Sequence, residues 1–265
     1  MTIKLIALDL DDTLLDDRQQ VTKRTQEALR RAMGAGVAVT IATGRMFQSA
    51  LPFARQLELK LPLIAYNGAL IRDRISGETI FHQPIEIGLA QELADLFRQR
   101  GWYLQKYVDD RLYVAELDEN ARFYADYAKV EAIPLGTEFY RMTTAPTKML
   151  TMGEPDELAA IAAEVAANYA GGLYLAPSKH RYLEIVDARV NKGRALGLLA
   201  GMLDIDASAV LAIGDSMNDV DMLEFAGIGV AMGNANAKVK SVADFVTSSN
   251  AEDGVAAAVE KFIFG

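Results

Sequence analysis

Short apolar runs alternate with stretches whose apolar positions recur every three or four residues, and this alternation fills both ends of the chain. Ile3 to Leu8 is an apolar run ended by Asp9, the pattern of a parallel strand buried on both faces. A helix follows, with Thr22 as its cap, Leu29, Ala32 and Met33 at i, i+3 and i+4, and Gly36 where a left-handed C-terminal cap is wanted. Val37 to Ala42 reads as a second strand ending at Thr43-Gly44-Arg45, and a second helix runs through Phe47, Ala50, Leu51 and Ala54. Leu63 to Tyr66 reads as a third strand ending at Asn67-Gly68, and Ala69 to Phe81 as a hairpin turned at Ser76-Gly77. The same grammar returns late. Lys192 to Met202 is helical, Ala209 to Ile213 is a strand ending at Gly214-Asp215, a helix runs from about Asn218 to Ala226, and Ile228 to Ala231 is another strand. A closing helix carries Val255, Val259 and Phe262 on one side. Strand, helix, strand order in short units predicts an α/β fold with a doubly wound parallel sheet.

The stretch from Pro84 to Asp187 has a different texture. It holds most of the aromatic residues, among them Trp102, Tyr107, Tyr124, Phe139 and Tyr182. Leu89 to Phe97 and Leu158 to Val165 have helical spacing, while Tyr103 to Val108, Leu112 to Val114, Lys148 to Met152 and Leu183 to Val186 read as strands. Because the parent pattern resumes afterwards, residues 84–187 are expected to be a second α/β unit inserted into a core of residues 1–83 and 188–265. The alternative is one larger sheet with long decorations.

Composition narrows the chemistry by what is missing. Among 265 residues there is no cysteine, and histidine occurs only at His82 and His180, so thiol nucleophiles, disulfides and cysteine zinc sites drop out. Both histidines are expected to be structural. The net charge of -9 opposes nucleic acid as a partner. No apolar run reaches the roughly 18–20 residues of a membrane span, and the start shows no signal-peptide pattern, so a soluble cytoplasmic protein is expected, monomer or homodimer.

Carboxylates, lysine, backbone amides and a hard cation remain. Asp9-Leu10-Asp11-Asp12-Thr13 follows a buried strand, and in open α/β sheets the functional crevice lies beyond the carboxyl ends of the strands. A calcium loop starting at Asp9 fails, since Leu14 stands where its glycine belongs and Gln20 where its bidentate glutamate belongs, and a strand precedes it. A second acidic turn, Gly214-Asp215-Ser216-Met217-Asn218-Asp219, also follows an apolar strand. Singly, such carboxylates serve as caps or turn formers. Together, their repulsion demands a cation, and magnesium suits a small oxygen-only set completed by water and a substrate phosphate. Thr43-Gly44 at the start of a helix offers a hydroxyl and amides to an anion. Lys192 sits at a helix start, where the dipole opposes it unless an anion is near. Alone, Thr43 is an ordinary N-cap and Lys192 a surface lysine; with the acids they describe a phosphate cradle.

Asp-Leu-Asp-Asp-Thr after a first strand, Thr-Gly-Arg after a second, Asn-Lys-Gly after an insertion and Gly-Asp-x-x-Asn-Asp near the end resemble the haloacid-dehalogenase-like superfamily. Tyr66-Asn67-Gly68-Ala69 and the large insertion resemble its Cof-type phosphatases. The resemblance implies a Rossmann-like core with an inserted α/β cap, and a magnesium-dependent phosphatase of small phosphorylated metabolites such as sugar phosphates, flavin mononucleotide or pyridoxal phosphate. It implies Asp9 as nucleophile, Asp11 as acid and then base, and a metal held by Asp9, the Asp11 carbonyl and Asp215. Leu10, Thr43, Gly44, Lys192 and Asn218 would hold the phosphoryl group. Asp219 would position Lys192 or a water, with Thr13 and Asn67 in support, and Arg45 would meet a polar part of the substrate. The family most often carries glycine where this chain has Asp12; aspartate tolerates unusual turn conformations, so activity is expected to survive. Two other functions share the motifs or the sheet, a phosphomutase and a phospho-aspartate signalling switch. Asp11 argues against the switch, because an acid and base beside the nucleophile would discharge it.

Overall fold

The computed structural model describes residues 2–177 and 181–265, so His180 lies outside the described residues. The chain divides into two compact units, Met1–Phe81 with Asn191–Gly265, and His82–Val190. In chain order the first unit opens with β1 (Leu5–Leu8), α1 (Lys23–Gly34), β2 (Ala38–Ile41), α2 (Phe47–Gln56), β3 (Leu63–Ala65), β4 (Leu70–Arg72) and β5 (Thr79–His82). The second holds α3 (Ile87–Arg100), β6 (Gln105–Val108), β7 (Arg111–Val114), α4 (Glu119–Ala128), β8 (Ala132–Pro134), β9 (Lys148–Met152), α5 (Pro155–Asn168), β10 (Leu173–Pro177) and β11 (Tyr182–Asp187). The first unit then resumes with α6 (Lys192–Met202), β12 (Val210–Gly214), α7 (Val220–Phe225), β13 (Ile228–Ala231), α8 (Ala237–Val242), β14 (Phe245–Val246) and α9 (Gly254–Phe264). Among the described residues no helix is long and apolar enough to cross a membrane.

The main sheet of the first unit is parallel, in the order β14-β13-β12-β1-β2. All of β1 and β12 is buried, as unbroken apolar strands between layers require. From β1 the chain moves to β2 on one side and returns to β12 on the other, so the order reverses at β1, the place where such sheets open a crevice. The register sets Leu8 beside both Ile213 and Ile41, so Asp9, Gly214 and Ala42 line up at the carboxyl end of the strands. Thr22 caps α1 by accepting from the Thr25 amide, and Gly36 takes a positive φ of 89° just beyond the helix, as the sequence predicts.

In the second unit the sheet runs β10-β11-β9-β6-β7-β8, antiparallel except for β7 with β8. One face packs on α3 and α5 through Phe97, Leu158, Ile161, Met149 and Ile185. The aromatic residues largely build this unit's own interior: Tyr107 and Phe139 are fully buried, and Tyr124 lies edge-on to Tyr107 at 6.2 Å. His82 Nε2 lies 2.9 Å from the Thr147 hydroxyl. Fully buried Lys148 pairs with Glu184 at 3.1 Å.

One expectation is corrected. The helix after Thr43-Gly44 begins only at Phe47, with Met46 as an N-cap that makes no side-chain bond, so Thr43 is not a helix cap. The helix expected from about Asn218 is present, as a 3-10 turn over Met217–Asp219 that runs directly into α7.

Close approach brings α6 to the carboxyl end of the strands. A Cβ on Gly193 would stand 2.2 Å from the Asp221 carbonyl oxygen, and one on Gly68, at φ +101°, 2.4 Å from that of Asn191. Glycine at both positions lets the start of α6 sit against α7 and the loop after β3. Gly193→Ala is therefore expected to lower stability by about 1–3 kcal/mol, while Gly201→Ala, in the same helix with nothing near its missing Cβ, raises it by about 0.5–1 kcal/mol. Urea unfolding midpoints of the two variants check both signs.

Candidate active site

Asp9 leaves β1 directly into a wide turn, closed where the Leu15 amide donates to the Leu10 carbonyl at 3.0 Å. Leu10 is fully buried at its start, which anchors the turn to the core. Within it Asp12 takes φ 59°, ψ 8°, a left-handed conformation that aspartate tolerates better than most residues. The Asp12 carbonyl accepts from Asn234 at 2.8 Å, so the turn is tied to the segment after β13.

The centre of the site is the Lys192 ammonium. It is fully buried at the first position of α6 and donates to Asp9 Oδ1 at 2.5 Å and Asp219 Oδ1 at 2.6 Å. The anionic partner its helix position demands is thus a pair of carboxylates. Burial alone would lower its pKa, but the charges of Asp219 and then Asp9 outweigh that and raise it. Asp219 Oδ2 accepts from the amides of Asp215 and Ser216, both at 2.9 Å. Asp215 receives the Thr13 hydroxyl at 2.8 Å on one oxygen and the Ser216 hydroxyl at 3.0 Å on the other.

Carboxyl oxygens of Asp9, Asp215 and Asp219 come within 4.8 Å of one another, all buried. One ammonium among three acids leaves an excess of negative charge away from water. The cost shows in the acids themselves. Burial first, then the charge of Asp219, pushes Asp215 from the usual 3.8 up to about 7, against the pull of its hydroxyl donors. Asp9 is raised well above the usual value, by burial and then by Asp219, with Lys192 opposing. A buried, oxygen-only, under-neutralised cluster of this kind is suited to a hard metal ion.

A second network stands beside the first. Asp11, in the turn, has its carboxylate gripped by Arg45, Nε to Oδ2 at 2.7 Å and Nη2 to Oδ1 at 2.8 Å. Thr43 is buried; its hydroxyl accepts from the Arg45 amide at 3.1 Å and its carbonyl from the Asn67 amide at 2.9 Å. Gly44 is half-buried between Thr43 and Arg45. Asn67, in a left-handed conformation at φ 59°, accepts on its side-chain oxygen from Asn218 Nδ2 at 2.9 Å. The Asn218 side-chain oxygen is buried and has no hydrogen-bond partner among the described residues.

Sequence reasoning missed three supporting residues. Ser216 sits inside the second acidic motif, where a hydroxyl beside an acid could have drawn notice. Gln19, on Arg45, and Asn234, on the Asp12 carbonyl, are brought in by the fold with no local signal.

A family model described as haloacid dehalogenase-like hydrolase matches residues 6–259. Phosphatase YwpJ of Bacillus subtilis is 31% identical over 279 residues, covering 96% of this chain and 98% of that protein. 5-Amino-6-(5-phospho-D-ribitylamino)uracil phosphatase YwtE of the same organism is 31% identical, with 99% of each chain covered. Among solved structures, a haloacid dehalogenase-like hydrolase from Bacteroides thetaiotaomicron is 30% identical with a TM-score of 0.89, over 98% of this chain and 99% of that one.

The raised carboxyl groups link stability to pH. A carboxyl whose folded pKa exceeds its unfolded one contributes stability below the unfolded value that is lost as pH rises through the folded value, here from 3.8 to about 7 for Asp215. A divalent cation needs the ionised acids, so its apparent affinity should fall by about tenfold per pH unit below about 7. The rise in melting temperature on adding a divalent cation to chelator-treated protein is expected to be larger at pH 8 than at pH 5.5. Equal rises at both would contradict this assignment.

Proposed function

This chain belongs to the haloacid dehalogenase-like hydrolase family and is a phosphoric monoester hydrolase, and from that premise we propose a magnesium-dependent phosphatase of small phosphorylated metabolites that works through a phospho-aspartate on Asp9. The observation that supports this reading most is the Asp9 carboxylate, 5% exposed at the topological switch of the sheet, with Lys192 on one oxygen and two further acids beside it. A carboxylate alone would repel a phosphate dianion. Lys192 offers a positive centre at the point of attack, and Thr43, Gly44, Asn218 and the Leu10 amide are the groups read as holding the phosphoryl oxygens.

Asp9, the Asp11 carbonyl and Asp215 would hold magnesium, and their oxygen-only chemistry fits it. Bound there, the ion supplies charge neutralisation for the incoming dianion and for charge developing on its oxygens. Asp219 keeps Lys192 in place and tied to the turn after β12. Asp11 donates a proton to the leaving oxygen in the first half of the reaction and accepts one from water in the second. The inserted unit serves as the cap that selects substrate. For the substrate itself, the phosphorylated sugar alcohol named for YwtE makes primary phosphate esters on polyhydroxylated chains the first class to try.

Phosphate release from sugar phosphates, flavin mononucleotide, pyridoxal phosphate and ribityl phosphates, with magnesium and with chelator, tests the reading. Release is expected with magnesium only. Asp9→Asn is expected to lower kcat by about 10^4-fold or more and Asp11→Asn by about 10^2–10^4-fold, with unchanged circular dichroism. Ready turnover in the Asp9 variant would contradict the nucleophile, and transfer to a second hydroxyl without phosphate release would make the chain a mutase.

A further inference from the structure

Arg45 is held at both ends. Its amide donates to the Thr43 hydroxyl at 3.1 Å, and its carbonyl accepts from the Tyr66 amide at 2.9 Å. Its guanidinium lies 5.4 Å from the centre of the Phe53 ring, and Nη2 donates to Gln19 Oε1 at 2.5 Å as well as to Asp11. Gln19 is itself fixed: it sits at φ 59° in a small loop where the Asp16 carboxylate accepts from the amides of Arg18 and Gln20, both at 2.9 Å. The chain of support thus runs from the Asp16 loop through Gln19 and Arg45 to the Asp11 carboxylate.

Stability alone does not account for this construction. The pair is largely shielded, with 13% of the Arg45 side chain and 22% of that of Asp11 exposed, so the cost of desolvating two charges offsets much of their attraction. One edge of the guanidinium, Nε and Nη2, is engaged by the Asp11 carboxylate. A two-point grip does what one hydrogen bond cannot: it stops the carboxylate from rotating about its own axis and fixes where its remaining lone pairs point.

We propose that Arg45, backed by Gln19, is a positioning residue that orients the Asp11 carboxylate as the base for the second half of the reaction. The inference rests on the acid and base reading of Asp11. In that half the water oxygen bonds to phosphorus, the bond from phosphorus to the Asp9 oxygen breaks with its electron pair returning to the Asp9 carboxylate, and the water proton passes to an Asp11 oxygen. That proton is the one Asp11 donates to the next leaving oxygen, so the cycle closes without a further acid. A carboxylate with both oxygens accepting from Arg45 is in the form that takes a proton, which ties the grip to this half in particular.

p-Nitrophenyl phosphate isolates the step, because its leaving group departs without help from an acid and phosphoenzyme hydrolysis then limits turnover. In rapid mixing with magnesium, Arg45→Ala is expected to keep the rate of the first turnover, to release a burst of nitrophenolate approaching one per site, and to fall about tenfold or more in kcat. Arg45→Lys, which keeps charge and loses the fork, should show the same burst, and Gln19→Ala a weaker version. Asp11→Asn is the reference. A burst in Asp11→Asn with none in the Arg45 variants overturns the positioning role alone; no burst in either overturns the base role of Asp11 with it. A raised KM with unchanged kcat in Arg45→Ala also overturns the proposal and makes Arg45 a substrate contact.

Discussion

Everything at the site is organised by one buried ammonium. Lys192 reaches Asp9 from one element and Asp219 from another, with none of its side chain exposed. Removing one member of such a pair typically costs about 3–5 kcal/mol, because the other charge is left uncompensated. The fold meets the geometric demand by keeping side chains out of the way: Gly193 and Gly68 let the start of α6 close on its neighbours, and the backbone amides of Asp215 and Ser216 occupy the other oxygen of Asp219. What remains is an arrangement better suited to chemistry than to stability. Two acids are held at pKa values above their usual range, a condition that clusters at functional sites.

Asp9 and Asp11 are two residues apart yet live in unlike surroundings. Asp9 is buried in the acid cluster beside Lys192, whereas Asp11 keeps partial exposure in the grip of Arg45. The residue after Asp11, Asp12, takes the left-handed step of the turn that carries both. Separate environments for neighbouring carboxylates are how one site gives them separate roles.

Much of the core fold can be read in the sequence because parallel strands buried on both faces are unbroken apolar runs. Ile228–Ala231, Lys148–Met152 and the helix Lys192–Met202 lie where the pattern puts them. Helix α4 was not legible: its inward face is Ala121, Tyr124 and Ala128, a stripe too small and too aromatic to stand out. β8, β10, α8 and β14 are short and partly exposed, so they carry little periodicity. The acidic turns stood out because each follows a strand. Pairings across the chain did not: Arg45 meets Asp11 from 34 positions away and Asn250 meets the Leu15 carbonyl from 235, and only the assembled sheet brings them together. Thr43-Gly44 read as a helix start because strand, turn, helix is the usual order, whereas here the residues through Met46 are spent anchoring Thr43 and Arg45 to the neighbouring strand and loop.

The covalent role of Asp9 is the claim on which the account stands. Asp11→Asn protein, mixed with an aryl phosphate and magnesium, quenched within the first turnover and reduced with borohydride, converts any aspartyl phosphate to homoserine that peptide mass spectrometry can place. The account predicts homoserine at position 9 and nowhere else; a reduced residue at another aspartate, or none despite nitrophenolate release, would contradict it.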